Sequence, residues 1–197
     1  MRQPLTSVCV FCGSSTGNDP RYVEAARALG AMIARSRLTL VYGGGAAGLM
    51  GAVADAALEN DGDVIGVIPH SLRESESAHS RVANLHVVST MHERKAKMAD
   101  LADAFVSLPG GLGTLDETFE ILTWAQLGIH HKPVAMWNVA GFFDPLVAYL
   151  DHAVECGLIR PQHRALLIVE SGLDRLFERL RDFTPPPLPR WSVPDDR

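Results

Sequence analysis

Lysine is scarce in this 197-residue chain: Lys95, Lys97 and Lys132 are the only three. Chemistry that needs a Schiff-base lysine has few candidates here, and such a lysine also needs an Asp or Arg partner for the cofactor ring. Cysteine is equally sparse. Cys9, Cys12 and Cys156 build no disulfide framework and point to a reducing compartment, with the cytoplasm expected. Cys9 and Cys12 are spaced like half a zinc site. On a strand, residues three apart face opposite ways, and no second CxxC follows, so core thiols and no metal are expected. Positive charge is also short. A formal net charge of −5 argues against a nucleic-acid partner, whose footprint is normally basic. No run of 18 apolar residues and no signal-peptide pattern is present, so no membrane span is expected.

What is present is an apolar content of 47%, arranged as short β-rich runs alternating with longer helical patterns. Runs at 5–12, 38–43, 63–69, 85–89, 104–109, 133–138 and 165–169 read as strands. Several are continuously apolar, as in strands buried on both faces. Helical patterns occupy 20–36, 48–60, 91–103, 114–128, 142–156 and 172–182. This alternation predicts an α/β fold, a single-domain, doubly wound, mainly parallel sheet with helices on both faces. That domain is expected over 1–183, with its ligand at the carboxyl ends of the strands. The segment 184–197 carries five prolines in fourteen residues and is expected to form an extended or disordered tail, on which Trp191 has room to dock.

Four loops at predicted strand ends concentrate glycine, hydroxyls and charge. "CGSSTG" (12–17), with Gly13 and Ser14 at its start, suits a sugar or phosphate cradle and equally an ordinary turn. In "YGGGAAGLMG" (42–51), Gly43, Gly45 and Gly48 match G-x-G-x-x-G between a strand and a helix. Asp61 and Asp63 follow Gly48 by only 13 and 15 residues, short of the usual spacing of about 20. A phosphate contact and plain backbone packing both stay open.

In "STMHERKAKM" (89–98), Thr90 and Glu93 have capping-box spacing. Arg94 and Lys95 then fall in the first turns, where the helix dipole disfavours cations. Either that face is solvated or an anion binds there. In "SLPGGLGTLDETFEILTWAQ" (107–126), the glycines suit a phosphate at a helix start, although no Walker G-K-[ST] follows. Thr114 to Glu117 again has capping-box spacing, which would make Thr114 the N-cap and Glu117 a capping carboxylate. In a doubly wound sheet the four loops converge on one edge.

The segments "GGGAAGLMG", "MHERK" and "PGGLGTLDE", in that order, resemble the LONELY GUY family of cytokinin riboside 5′-monophosphate phosphoribohydrolases. The resemblance runs from about Val8 to Leu167. It implies a Rossmann-like homodimer, without cofactor or metal, that hydrolyses the N-glycosidic bond of N6-substituted AMP. The products would be the N6-modified adenine and ribose 5-phosphate. By motif match Arg94 and Glu117 would be the catalytic pair. Substrate contacts would fall on Lys95, on Gly111, Leu112, Gly113, Thr114, Leu115 and Asp116, and on Thr123, with Gly13, Ser14, Gly44, Gly45 and Met91 from the other loops. Glu76, in "SESAH", matches a substrate-contacting glutamate less closely. Asp116 stands where many relatives carry glutamate.

Three other readings compete. A lysine decarboxylase would require pyridoxal phosphate on one of the three lysines. A non-catalytic nucleotide-binding module or carrier would use the glycine loops and leave Glu117 as a cap. A general purine-nucleotide nucleosidase would keep the chemistry and relax the N6 pocket. Trp124 and Leu127 are possible partner-facing residues, and core packing is equally open for both.

Overall fold

A strand covered on both faces needs apolar side chains at every position rather than at every second one. In the computed structural model, which describes residues 4–73 and 78–187, strand β1 (Ser7–Phe11) meets that condition with all five residues buried. Strands β2 (Thr39–Tyr42), β3 (Val64–Pro69), β4 (Asn84–Val88), β5 (Ala104–Ser107), β6 (Val134–Trp137) and β7 (Leu167–Glu170) complete one sheet among the described residues. Its order is β4-β3-β2-β1-β5-β6-β7, and every pairing is parallel. The expected α/β, doubly wound architecture is therefore the observed one.

The helices are α1 (Pro20–Arg35), α2 (Gly48–Glu59), α3 (Met91–Leu101), α4 (Leu112–Gln126), α5 (Asp144–Glu155), the short α6 (Pro161–Arg164) and α7 (Leu173–Asp182). They divide into two layers. One apolar cluster joins Leu29 and Ile33 of α1, Val53 and Ala57 of α2, and Phe177 of α7. The other joins Met98 of α3, Ile121 of α4 and Leu150 of α5. Cys9 belongs to the second cluster and Cys12 to the first, the opposite-face placement that their spacing predicts.

This order puts the topological switch between β1 and β5. The chain leaves β1 toward α1 on one face and leaves β5 toward α4 on the other, which opens a crevice above their carboxyl ends. Backbone hydrogen bonds join the two ends, Leu108 N donating to Phe11 O at 2.9 Å and Gly13 N to Pro109 O at 3.1 Å. The two strands are also tied at their amino ends. Asp103 Oδ2 accepts from Thr6 N (2.9 Å), Thr6 Oγ1 (2.6 Å), Ser7 N (3.1 Å) and Ser7 Oγ (3.1 Å). Burial alone would raise the Asp103 pKa, but these bonds outweigh it and hold the carboxyl below the usual carboxylate range.

Asp103→Asn should therefore lose about 1–2 kcal/mol of stability at neutral pH. A depressed folded-state pKa contributes stability above the unfolded pKa, and that contribution disappears as pH falls through the folded value. Urea unfolding should show the gap between the two proteins closing below about pH 4. A gap independent of pH would contradict this assignment.

Element boundaries differ from expectation by at most two residues. Helix α4 begins at Leu112 rather than 114, and β7 begins at Leu167 rather than 165. The turn α6 was not expected; at four residues it is too short to show a helical period. Expectations about Trp191 and most of the proline-rich tail fall on 188–197, outside the described residues, as does Glu76.

Candidate functional site

Helix α3 opens as its sequence predicts. Thr90 is the N-cap, with Glu93 N donating to Thr90 Oγ1 at 3.1 Å. The Glu93 carboxylate reaches back to Ser89 N at 2.8 Å, one residue before the N-cap. This cap sets Arg94 and Lys95 on the buried side of the helix, at 4% and 8% exposure, rather than on a solvated face. The Arg94 guanidinium lies across the carboxyl ends of β2 and β3. Nε donates to Val67 O at 3.1 Å and Nη2 to Gly43 O at 2.9 Å.

Helix α4 corrects the sequence reading. Its N-cap is Gly111, with no side chain capping it, so Thr114 and Glu117 lie inside the helix and form no capping box. The cause is packing. Thr114 is buried at 4% exposure against Gly110, where a Cβ would lie 2.1 Å from Thr114 Oγ1. The glycines thus let the chain enter the helix earlier than the motif spacing suggests. Glu117, in the second turn, has no capping function and is 9% exposed.

Electrostatics place Glu117 and Arg94 in one neighbourhood. Burial and then Glu117 push the Cys12 thiol far above its ordinary pKa, with Arg94 acting in the opposite sense. The same two charges act on Cys9. A carboxylate from α4 and a guanidinium from α3 therefore both bear on the carboxyl half of β1. Above them the start of α4 is open. Leu112 is 87% exposed, and a Cβ at Gly111 or Gly113 would meet nothing within 4 Å. The first-turn N–H groups of an uncapped helix and the positive end of its dipole attract an anion.

Lys95 faces elsewhere. Its Nζ stands 3.0 Å from Asp116 Oδ2 and 3.0 Å from Glu120 Oε2. Burial alone would lower its pKa, but the hydrogen bonds to Asp116 and Glu120 outweigh burial and hold the ammonium above its ordinary value. Asp116, Glu120 and Thr123 occupy one face of α4, at spacings of four and three. Thr123 is exposed, and its hydroxyl donates to Phe119 O at 2.6 Å. It sits about 14 Å along the helix from Thr114. Leu115 packs against the core layer beneath α4, and Met91 is 38% exposed at the start of α3.

The G-x-G-x-x-G glycines admit parts of this chain. A Cβ at Gly43 would lie 2.1 Å from Arg94 Nη2, and one at Gly48 would lie 2.3 Å from the Ser14 carbonyl carbon. Gly44, at φ +79°, accepts from His79 N at 3.0 Å through its carbonyl, and Gly45 bridges to Ala78. Gly13 joins the two halves of the crest, since its carbonyl also accepts from Leu49 N at 3.0 Å. Beside it lies a crevice of about 270 Å³ between loops 13–17 and 109–111, walled by Tyr22, Leu49 and Phe142.

A larger cavity, about 1030 Å³, lies at the opposite, amino-terminal edge of the sheet. Three of its polar side chains are already engaged. Asp103 is held as described, Lys132 Nζ donates to Ala99 O at 2.8 Å, and His130 Nε2 pairs with Ile121 O at 2.9 Å. Size notwithstanding, the carboxyl edge is the chemically equipped one. Sequence reasoning missed the Lys95–Asp116–Glu120 cluster and the Val67 carbonyl. The first depends on two helices meeting, and the second is backbone with no side-chain signal.

An all-parallel, doubly wound sheet with a buried arginine, a buried carboxylate and an uncapped glycine-rich helix start at its carboxyl edge defines a class: α/β proteins of Rossmann-like fold. Comparison with known proteins is more specific. A family model described as "Possible lysine decarboxylase" matches residues 50–180. The probable cytokinin riboside 5′-monophosphate phosphoribohydrolase LOGL9 of Oryza sativa subsp. japonica is 49% identical, over 90% of this chain and 78% of that protein. The enzyme of that name from Rhodococcoides fascians is 47% identical, over 89% of each chain. LOG7 of Arabidopsis thaliana is 46% identical, over 90% of this chain and 82% of that one. The chain belongs to this phosphoribohydrolase family.

Two solved structures share the fold. The Moco carrier protein from Chlamydomonas reinhardtii superposes with a TM-score of 0.67 at 20% identity, covering 90% of this chain and 98% of that one. The molybdenum cofactor binding protein from Rippkaea orientalis gives 0.64 at 21%, covering 90% and 95%. At such identities the likeness concerns the fold alone.

Lys95 and Lys132 do not fit pyridoxal phosphate. A Schiff-base lysine is activated by a lowered pKa, whereas Lys95 is held high between two carboxylates. Lys132 is committed to Ala99 O, and Lys97 is half-buried on α3.

Proposed function

We propose that this chain hydrolyses the N-glycosidic bond of N6-modified AMP, releasing the N6-modified adenine and ribose 5-phosphate. The observation that carries this reading is the burial of Glu117 and Arg94 together beneath the open start of α4. The substrate's 5′-phosphate rests on the first-turn N–H groups of α4, around Gly113 and Thr114, where the dipole favours it. Breaking the C1′–N bond develops positive charge on the ribose, as in an oxocarbenium-like transition state. Glu117 faces that charge, stabilising it or activating the water that attacks C1′. Arg94 orients Glu117 and the nucleotide and offsets charge at the departing side. The water's hydroxyl ends on C1′ and its proton on the leaving base. Anion cradle and carboxylate serve different atoms of one molecule.

Gly13, Ser14, Gly44, Gly45 and Met91 shape the crest around the nucleotide. Lys95 and Asp116 meet where α3 and α4 approach, and Thr123 lies further along the same face of α4. The proposed working unit is a homodimer. Leu112, Leu127 and Ile129, 87%, 51% and 66% exposed, lie at the two ends of α4 and support that element as the contact. Trp124 packs instead against the core. The proposed compartment is the cytoplasm, consistent with three unbridged cysteines and with no helix among the described residues long and apolar enough to cross a membrane.

The test is incubation of the protein with AMP and with isopentenyl-AMP, scoring free base and ribose 5-phosphate. Release from both is expected, favouring the N6-modified nucleotide by about 10–200-fold, the range one apolar group supplies. Equal rates would support the general purine-nucleotide nucleosidase. Tight binding without release would support a carrier and overturn the hydrolase reading.

A further inference from the structure

The first glycine of the G-x-G-x-x-G segment has an occupant that its motif does not suggest. A Cβ built on Gly43 would lie 2.1 Å from Arg94 Nη2 and 3.2 Å from Arg94 Cζ, with Met50 Sδ, also at 3.2 Å, as the third neighbour. All three are ends of flexible side chains rather than backbone. Gly43 does not adopt a left-handed φ, unlike its neighbour Gly44, so its backbone conformation is open to alanine. The same residue's carbonyl accepts from Nη2 at 2.9 Å, while Val67 O takes Nε at 3.1 Å. The guanidinium thus presents its Nε–Nη2 edge to β2 and β3, in a slot that exists because residue 43 has no side chain. A planar fork held by two carbonyls has one orientation.

We infer that Gly43 is a positioning residue for Arg94, with its missing side chain and its carbonyl together fixing the guanidinium at the catalytic height. This rests on the function proposed above. An added methyl group displaces the head of Arg94 while leaving the sheet intact, and a displacement of about 1 Å in a catalytic assembly costs on the order of 100-fold in rate.

The experiment compares wild type, Gly43→Ala, Arg94→Ala and the double variant, with isopentenyl-AMP as substrate, thermal unfolding as the fold control, and the NMR signal of the Arg94 Nε–H as a readout independent of turnover. Gly43→Ala should unfold within a few degrees of wild type. Its kcat should fall at least about 100-fold with KM within about threefold. The double variant should be no slower than Arg94→Ala, because both changes act through one side chain. The Nε–H signal, protected in wild type by its bond to Val67 O, should move and exchange faster in Gly43→Ala.

Activity within threefold of wild type would overturn the inference. So would losses that multiply in the double variant, an unmoved Nε–H signal, or a Gly43→Ala protein that fails to fold. Should wild type release no base, the hydrolase reading fails, and the Nε–H comparison alone decides whether Gly43 sets the arginine.

Discussion

Glu117→Gln should abolish turnover, with kcat lower by at least about 10²–10³-fold, while AMP binding by calorimetry stays within a few-fold of wild type. The two side chains are nearly isosteric, so packing around position 117 is kept. What is lost is the negative charge. An amide offers a developing ribosyl cation only a dipole and cannot take a proton from water at neutral pH. Under the proposed mechanism the phosphate rests on backbone N–H groups of the first turn of α4, about a full turn from position 117, so binding should survive. The competing role for this residue, a helix cap worth about 1 kcal/mol, is removed by the observed start at Gly111. A loss of rate in this variant therefore does not come from a lost helix cap. Near-normal hydrolysis would remove Glu117 from the chemistry.

Arg94→Ala should be comparably severe, with two separable effects. The first is on rate, at least about 100-fold in kcat, from losing the group that orients carboxylate and nucleotide. The second is on stability. Arg94 is 4% exposed, and its removal leaves Gly43 O and Val67 O without charge-assisted donors. Hydrogen bonds to charged groups contribute about 1.5–3 kcal/mol each, so unfolding in urea should register a loss of about 2–4 kcal/mol after local relaxation. Arg94→Lys distinguishes the contributions. An ammonium keeps the charge but does not fork to two carbonyls, so it should recover part of the stability and little of the rate. Full activity in Arg94→Lys would show that charge alone suffices.

Much of this architecture was legible in the chain because the relevant signals are local. The apolar run Ser7–Phe11 declares a strand covered on both faces, and Thr90 with Glu93 declares a helix start whose partners lie within four residues. The spacing of Cys9 and Cys12 was enough to send them to opposite layers. Failures came where spacing is shared by different structures. Thr114 and Glu117 have capping-box spacing, yet the contact of Thr114 with Gly110 places both inside the helix. G-x-G-x-x-G says that side chains are absent without saying what fills the space. At Gly43 the occupant comes from 51 residues further along the chain. Lys95 and Asp116 are 21 residues apart, and only the meeting of α3 with α4 makes them a pair. Family resemblance supplied the identity of the candidate pair; its physical setting, buried and uncoupled from capping, came from the fold.

The most direct measurement is a crystal structure of the Glu117→Gln protein with AMP bound. The account predicts the phosphate on the N–H groups at the start of α4 and the side chain at position 117 against C1′ of the ribose, with the Arg94 guanidinium alongside. A phosphate seated elsewhere, or a ribose whose C1′ lies beyond one intervening water from position 117, would contradict it.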